Sequence, residues 1–332
     1  TAPMLKWRMF LTFLSIVLSI MGGVHWYVFA RLVRDTALPA PWPWLTGLLL
    51  VMAVVSIPLS FIASRQLDKS LARYIVVPVY LWMGFVFQTF FLLLAMDGLR
   101  VFSWIAYQIF GGPNLYPGPS QDLHLWRFVA GAVVSITTLT TLVGVWWGLT
   151  RMAIRRIEIP IRGLPAEMDG FTIAHLSDLH LDLVHGARWL RGVVEKTNSL
   201  KPDLIAITGD LAEGSVRQFQ EEVEPLRDLK APEGVFFVTG NHEYFHDLAG
   251  WLSQLAEMGI RVLRNERVPL GAKEAGFDLA GVDDHDGARI ALGHGPDLAK
   301  ALEDRDLNRP VVLLAHQPRI ISEAAQAGVD LS

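Results

Sequence analysis

The sequence predicts a four-helix transmembrane region followed by an α/β domain. Hydrophobic residues make up 52% of the 332 residues and charged residues only 19%, which is too apolar for an ordinary soluble chain of this length. Long uncharged stretches precede Arg151, and short apolar segments alternating with amphipathic ones follow it. We therefore divide the chain into a transmembrane region (1–150), a juxtamembrane linker with a leading strand (151–170) and an α/β domain (171–332).

Four stretches without Asp, Glu, Lys or Arg are long enough to cross the hydrocarbon core, which takes about 20 helical residues. These stretches are Phe10–Ala30, Trp44–Ala63, Tyr74–Met96 and Phe128–Thr150. The first is predicted to be a retained helix and not a signal peptide, because it exceeds the length of a signal-peptide core and no small-x-small cleavage site follows it.

The lysines and arginines between the predicted helices indicate the orientation of the membrane region. One side would hold Lys6, Arg8, Arg65, Lys69, Arg73, Arg151, Arg155, Arg156 and Arg162, and the other Arg31, Arg34, Arg100 and Arg127. Nine basic residues against four predict that both termini and the α/β domain are cytoplasmic. The turn-rich segment Gly111–His124 would then face outward, as a lid or a solvated connection.

One ionisable side chain, that of His25, lies inside the four uncharged stretches. An intramembrane histidine is a candidate proton relay or haem ligand. A lone histidine near the membrane interface is more often a packed side chain. Because the stretches carry no other ionisable group, a transporter is not the preferred interpretation.

Five apolar segments after Arg151 are predicted to be strands: Phe171–Asp178, Asp203–Asp210, Gly234–Glu243, Phe277–Asp284 and Pro310–Pro318. Helical patterns fall between and after them, near 187–199, 216–229, 247–258, 296–304 and 319–327. Ile157–Pro165 resembles a further strand that leads into the domain. This alternation predicts an α/β layered domain with polar residues gathered at the strand ends.

Charge and cysteine content exclude several classes of function. The formal net charge of −4 provides no basic field for neutralising phosphates, so nucleic acid is not a predicted partner. The chain has no cysteine, which excludes disulfides and thiolate metal sites.

Polar side chains that can bind metals follow four of the predicted strands. They are Asp178 and His180 in S-D-L-H, Asp210 in T-G-D, Asn241 and His242 in G-N-H-E, and His316 in L-L-A-H-Q-P. One such residue could be an ordinary turn residue, but four strand ends of this kind favour a metal centre. Oxygen and imidazole ligands without thiolate suit manganese, iron or zinc, and a bridging carboxylate suits a two-metal centre.

These four motifs, in this order, resemble the motif series of the calcineurin-like metallophosphoesterases. The preceding four helices resemble the bacterial membrane-attached branch of that family, which implies location in the bacterial inner membrane. The resemblance implies an αββα sandwich with two divalent ions, of manganese, iron or zinc, at the strand ends.

The resemblance also implies a role for each motif residue. Asp178 and His180 would hold the first ion, Asp210 would bridge, and Asn241 and His316 would hold the second. His242 would not be a ligand. It would stabilise charge on the phosphoryl group and protonate the leaving oxygen.

The sequence departs from the family pattern at its C-terminal end. The family normally has a further G-H-x-H motif that gives each ion one more histidine, and the sequence stops at Gly328–Ser332 without it. We therefore expect a truncated metallophosphoesterase domain with incomplete metal sites and impaired activity.

The preferred function is a metal-dependent phosphoesterase that hydrolyses a phosphodiester or pyrophosphate at the cytoplasmic membrane surface. Membrane lipids are the expected partners and a lipid-linked phosphate the expected substrate, because a hydrophilic substrate would not require four helices. The alternative is a non-catalytic membrane module in which a degenerate phosphoesterase domain binds or senses a headgroup or a protein. The sequence predicts no oligomeric state.

Overall fold

The computed structural model describes residues 2–111, 122–272, 275–290 and 294–332. The chain divides into two compact units, Thr1–Arg151 and Met152–Ser332.

The first unit contains the four predicted helices. They are α1 (Ala2–Phe29), α2 (Trp42–Gln66), α3 (Lys69–Phe110) and α4 (Leu123–Thr150). By length and composition all four are able to cross a membrane. A small apolar core formed by Val28, Val86, Leu93, Val129 and Val133 joins α1, α3 and α4. Most of the other large apolar side chains lie on the outer surface, as expected of helices surrounded by lipid.

The helices are longer than the uncharged stretches, so the expectation that they carry no charged residue is wrong. A π-helical turn, Ala30–Arg34, continues α1, and α3 runs through Asp97 to Phe110. The Asp97 carboxylate accepts hydrogen bonds from Arg31 Nε at 2.8 Å and Tyr27 Oη at 2.6 Å. Because these charged groups near the helix ends pair with one another, a helix can continue past them.

His25 is a packed side chain, the more ordinary of its two interpretations. It is buried, its Nδ1 donates to the Met21 carbonyl at 2.8 Å, and its Nε2 accepts from Trp82 Nε1 at 3.0 Å. Both ring nitrogens are therefore used within the bundle. The segment considered as a lid lies mostly outside the described residues, at 112–121.

The second unit contains two sheets. The first sheet, of four parallel strands in chain order, consists of β1 (Ile173–Leu176), β2 (Leu204–Thr208), β3 (Val235–Val238) and β4 (Arg261–Val262). The second consists of β5 (Glu266–Ala272), β6 (Ala275–Gly281) and β7 (Val311–Leu314), in which β5 and β6 are antiparallel and β6 and β7 parallel.

Helices cover the outer faces of the two sheets. They are α5 (Ala187–Ser199), α6 (Val216–Val223), α7 (Asn241–His246), α8 (Leu248–Glu257), α9 (Gly287–Ile290), α10 (Leu298–Ala301) and α11 (Ile321–Gln326). Ile205 and Ile207 pack with α5, α6 and α8 side chains, whereas Leu204 and Ala206, which point the other way, pack with Leu279 of the second sheet. β7, α10 and α11 form a third core. The result is the expected helix–sheet–sheet–helix order, and β2 is apolar on both faces because both are covered.

The strand predicted at Ile157–Pro165 is wrong, because this segment has no regular structure until a turn near its end. Pro160 cannot donate a ladder hydrogen bond, and Ile157 is exposed. The sequence interpretation also missed β4 and β5. β4 has two residues, and β5 contains Pro269 and Gly271, which weaken a strand pattern.

Candidate metal centre

The predicted ligands follow the carboxyl ends of strands from both sheets. Asp178 and Asp210 follow the neighbouring parallel strands β1 and β2, which place them along one edge, and His316 follows β7 of the second sheet. The backbone φ angles of Asp178, His180 and Asp210 are all positive, at 52°, 41° and 54°. Non-glycine residues rarely adopt this conformation, and it is concentrated at functional sites.

Two glycines let the turns after β2 and β3 touch. A Cβ on Gly209, whose φ is +79°, would lie 2.3 Å from the Gly240 nitrogen. A Cβ on Gly240 would lie 2.2 Å from Asp210 Oδ1. Side chains at either position would separate the two turns, so the G-D and G-N-H motifs need glycine for close backbone approach.

Three imidazoles converge on one carboxylate oxygen. The Oδ2 atom of Asp210 lies 3.4 Å from His316 Nε2, 3.5 Å from His180 Nε2 and 4.0 Å from His242 Nε2. Asp210 is almost completely buried. This concentration of ligand atoms around a buried anionic oxygen is the arrangement expected of a cation site.

Burial and mutual pairing shift the pKa values of Asp210 and His316. Burial raises the pKa of Asp210, but hydrogen bonds from His316 and the His242 backbone N–H outweigh it, so the pKa lies below its ordinary value. Burial lowers the pKa of His316, whereas Asp210 and the Thr208 carbonyl raise it to about 9. Without a metal ion, the two residues are therefore an ion pair.

The histidines present the correct nitrogen to a metal ion. His180 Nδ1 lies 2.5 Å from Glu213 Oε1, and His316 Nδ1 donates to the Thr208 carbonyl at 2.7 Å. These contacts leave each Nε2 facing Asp210, and such outer contacts fix the tautomer and orientation of metal-binding histidines. The residues present therefore fit divalent metal ions.

Among the described residues, two of the three groups able to hold a metal share Asp210, and the third consists of Glu213, His242 and His246. One group is Asp178, Asp210 and His316, and another is His180, Asp210 and His242, with the ligand atoms of each group within 4.8 Å of one another. The resemblance paired Asp178 with His180 and kept His242 outside the ligand set. Those assignments stay predictions. Asn241 begins α7 directly after Gly240, and its role as a ligand also stays a prediction.

Glu213 is a site residue that the sequence interpretation missed. Besides its contact with His180, its Oε2 atom lies 3.1 Å from His242 Nδ1, without hydrogen-bond geometry. The Glu213 carboxylate therefore lies next to the Nδ1 atoms of both His180 and His242. The signal was present in the sequence, because Glu213 follows Asp210 by three residues in the same turn.

Glu243, from the G-N-H-E motif, is a second missed residue. Its buried carboxylate accepts hydrogen bonds from the backbone N–H groups of Asp210, Leu211 and Gly240 at 3.0, 2.9 and 2.7 Å. Burial raises the pKa of Glu243, although these hydrogen bonds oppose the effect. One side chain thus joins the turns after β2 and β3.

Comparison with known proteins agrees with the motif interpretation. The family model "Calcineurin-like phosphoesterase" matches residues 171–329. A Bos taurus "transmembrane protein with metallophosphoesterase domain" is 36% identical over 60% of this chain and 47% of its own length. An uncharacterized metallophosphoesterase of Aquifex aeolicus is 36% identical over 52% of this chain and 65% of its own length.

A third relative extends the similarity into the membrane region. An uncharacterized metallophosphoesterase of Campylobacter jejuni is 24% identical over 93% of this chain and 78% of its own length. The chain spans about half the length of the Bos taurus relative. The family resemblance and the membrane-attached form are confirmed.

Proposed function

We propose that this membrane protein, whose residues 171–329 are a calcineurin-like metallophosphoesterase domain, hydrolyses a phosphodiester or pyrophosphate with two divalent metal ions. The observation that carries the proposal is the convergence of His180, His242 and His316 on Asp210 Oδ2. A carboxylate with only a structural role would be satisfied by one imidazole partner. Three imidazoles around one oxygen fit a centre in which Asp210 is shared by two ions.

The chain's residues have distinct roles in this reaction. Asp178, His180, Asp210, Asn241 and His316 would hold the ions, for which manganese, iron or zinc suits the oxygen and imidazole donors. When bound, the ions would lower the pKa of a water nucleophile toward neutrality and neutralise charge on the phosphoryl oxygens.

His242 would lie beside a phosphoryl group bound at the centre and would donate a proton to the leaving oxygen. Its Nε2 atom faces Asp210, and its Nδ1 atom lies beside Glu213, which would hold the ring in place. General acid catalysis of this kind contributes about 10²–10⁴-fold to a rate.

The membrane region supports a substrate presented at the bilayer surface, such as a lipid-linked phosphodiester or pyrophosphate. The first unit offers four helices long and apolar enough to span a membrane, which a freely diffusing substrate would not require. The excess of basic residues on the side of the α/β domain supports a cytoplasmic orientation. We place the protein in the bacterial inner membrane, with membrane lipids as its partners.

The test separates metal binding from turnover. The full chain in detergent, loaded with Mn²⁺, is assayed against an aryl phosphodiester and its metal content is measured by elemental analysis. We expect Asp210→Ala to lose metal and activity together. His242→Ala should keep its metal and lose about 10²-fold or more of turnover. The control is His124→Ala, because His124 is an exposed residue of the membrane region.

Two results would overturn the proposal. Metal binding without hydrolysis of any phosphodiester or pyrophosphate would favour the non-catalytic module. Equal metal loss in Asp210→Ala and His242→Ala would make His242 a ligand and remove its role as proton donor.

A further inference from the structure

A cavity of about 100 Å³ adjoins the metal centre and shares His316 with it. Its other walls include Val282, Asp284 and Pro296 on one side and Gln317 and Ile320 on the other. Because one wall is a candidate metal ligand, a phosphoryl group at the metal centre would lie next to the cavity. None of the roles assigned to the motif residues gives this cavity a function.

Asp284 lines this cavity and has one carboxylate oxygen that is buried and unsatisfied. Only 2% of the residue is exposed. Its Oδ1 atom accepts from the Asp286 backbone N–H at 2.8 Å and from Gln317 Nε2 at 3.2 Å. Its Oδ2 atom is buried and has no hydrogen-bond partner among the described residues. An unsatisfied buried carboxylate oxygen destabilises the folded protein, so it calls for a partner from outside the chain.

The neighbouring carboxylate shows how this fold satisfies an aspartate that has only a structural role. Asp283 is also buried, and Arg264 binds it through two nitrogens, with Nε–Oδ1 at 2.9 Å and Nη2–Oδ2 at 2.5 Å. Both oxygens of Asp283 are thus compensated within the chain. Asp284 differs in having one compensated and one uncompensated oxygen.

The unsatisfied oxygen is held in a fixed position. The Asp284 backbone N–H donates to Thr239 Oγ1 at 3.2 Å, directly before the turn that carries Asn241 and His242. The two hydrogen bonds to Oδ1 fix the side chain itself. A preorganised acceptor next to a reaction centre is suited to selecting one chemical group of a substrate.

We propose that this cavity binds the organic group of the phosphoester, and that a hydroxyl or ammonium of that group donates a hydrogen bond to Asp284 Oδ2. The proposal rests on the proposed function and names a substrate class within it. A carboxylate oxygen can only accept, so the bound group must be a donor. A cavity of about 100 Å³ that is partly open to solvent accommodates a glycerol- or ethanolamine-sized group.

Binding of short phosphate monoesters tests this inference without requiring turnover. The Mn²⁺-loaded full chain is titrated by calorimetry with propyl phosphate, 3-hydroxypropyl phosphate and 3-aminopropyl phosphate. These probes share the phosphate and the three-carbon chain and differ only in the terminal group. We expect the Kd of the hydroxyl or the amino probe to be about 10–100-fold lower than that of propyl phosphate, as for one hydrogen bond to a charged group.

The variant Asp284→Asn should abolish this preference. The Asp286 N–H and Gln317 Nε2 both require an acceptor at the Oδ1 position, so the amide nitrogen would replace Oδ2 and present a donor in place of an acceptor. The affinity ratio of donor probe to propyl phosphate should fall to about one. The control is Glu323→Gln, since Glu323 lines the same cavity at its exposed rim. It should keep the wild-type ratio.

The outcomes separate this inference from the proposed function. Equal affinity of wild type for all three probes, or a preference that Asp284→Asn does not change, would overturn the inference even if phosphodiesters are hydrolysed. A preference that Asp284→Asn removes, in a protein without hydrolytic activity, would keep the binding site and overturn the proposed reaction. Comparing the hydroxyl and amino probes identifies the donor.

Discussion

Glu213 Oε1 lies 2.5 Å from His180 Nδ1 while its other oxygen lies 3.1 Å from His242 Nδ1. A single carboxylate therefore supports one candidate metal ligand and the candidate proton donor. These contacts should fix the orientations of both imidazoles. Glu213 is a positioning residue in this arrangement, since it acts through the two histidines.

The first prediction is that Glu213→Gln weakens metal binding about 10–100-fold, the usual effect of removing an outer partner of a metal ligand. It should also lower turnover at saturating metal, because the His242 ring loses the carboxylate beside its Nδ1 atom. Metal titration and turnover at saturating Mn²⁺ measure the two effects.

The control for this prediction is Glu224→Gln. Glu224 is an exposed glutamate paired with Arg227 at 2.6 Å, and such surface pairs contribute little. Turnover identical to that of wild type in Glu213→Gln, at saturating metal, would show that Glu213 does not act on His242.

The second prediction concerns Glu243, whose carboxylate accepts three backbone N–H groups from the two turns of the site. Glu243→Ala leaves three buried donors without this acceptor, each costing about 1–3 kcal/mol. We expect the free energy of unfolding of the α/β unit to fall by about 3 kcal/mol or more. Glu243→Gln, which keeps one acceptor oxygen, should lose less. Denaturant unfolding of the metal-free chain measures the free energy of unfolding of both variants. Equal losses in Glu243→Ala and Glu243→Gln would contradict this account.

The third prediction is a pH dependence of stability in the metal-free protein. The pKa of His316 is raised from 6.5 to about 9 by Asp210 and the Thr208 carbonyl, against the effect of burial. A raised folded-state pKa stabilises fully below pH 6.5, and this stabilisation disappears as the pH rises through about 9. With EDTA present, Tm should therefore fall by several degrees between these values.

Two comparisons check that the effect comes from His316. His316→Asn should flatten this part of the Tm–pH curve, because the side chain no longer titrates. Metal affinity should rise over the same pH range, since an ion must displace the His316 proton. A curve of unchanged slope in the variant would assign the titration to another group.

The sequence was sufficient for those parts of the fold that are determined by local pattern. Uncharged runs identified the four helices, and apolar runs before Asp178, Asp210 and His316 identified β1, β2 and β7. The helix ends were less predictable, because the partner of a charged residue such as Asp97 comes from a different helix. A hydropathy pattern contains no information about such pairs.

The candidate site shows the same limit. The motif residues come together as their order along the sheet predicts, whereas Glu213 and Glu243 act through contacts made after the turns are assembled. Glu243 stands in a quoted motif, yet its three backbone hydrogen bonds could not be read from composition. Asp284 is a similar case, since an uncompensated oxygen is visible only when all its neighbours are known.

The last prediction is that Ser70, in the first turn of α3, faces the cytoplasm together with the α/β domain, whereas Leu38, between the π-helical turn and α2, faces the other side. Both residues are exposed, and α2 separates them. The chain has no native cysteine, so Ser70→Cys and Leu38→Cys each carry a single thiol. In intact cells a membrane-impermeant maleimide should label only Leu38→Cys, and permeabilisation should expose Ser70→Cys. The reverse pattern would invert the orientation inferred from nine basic residues against four, and would place the proposed hydrolysis on the outer face of the membrane.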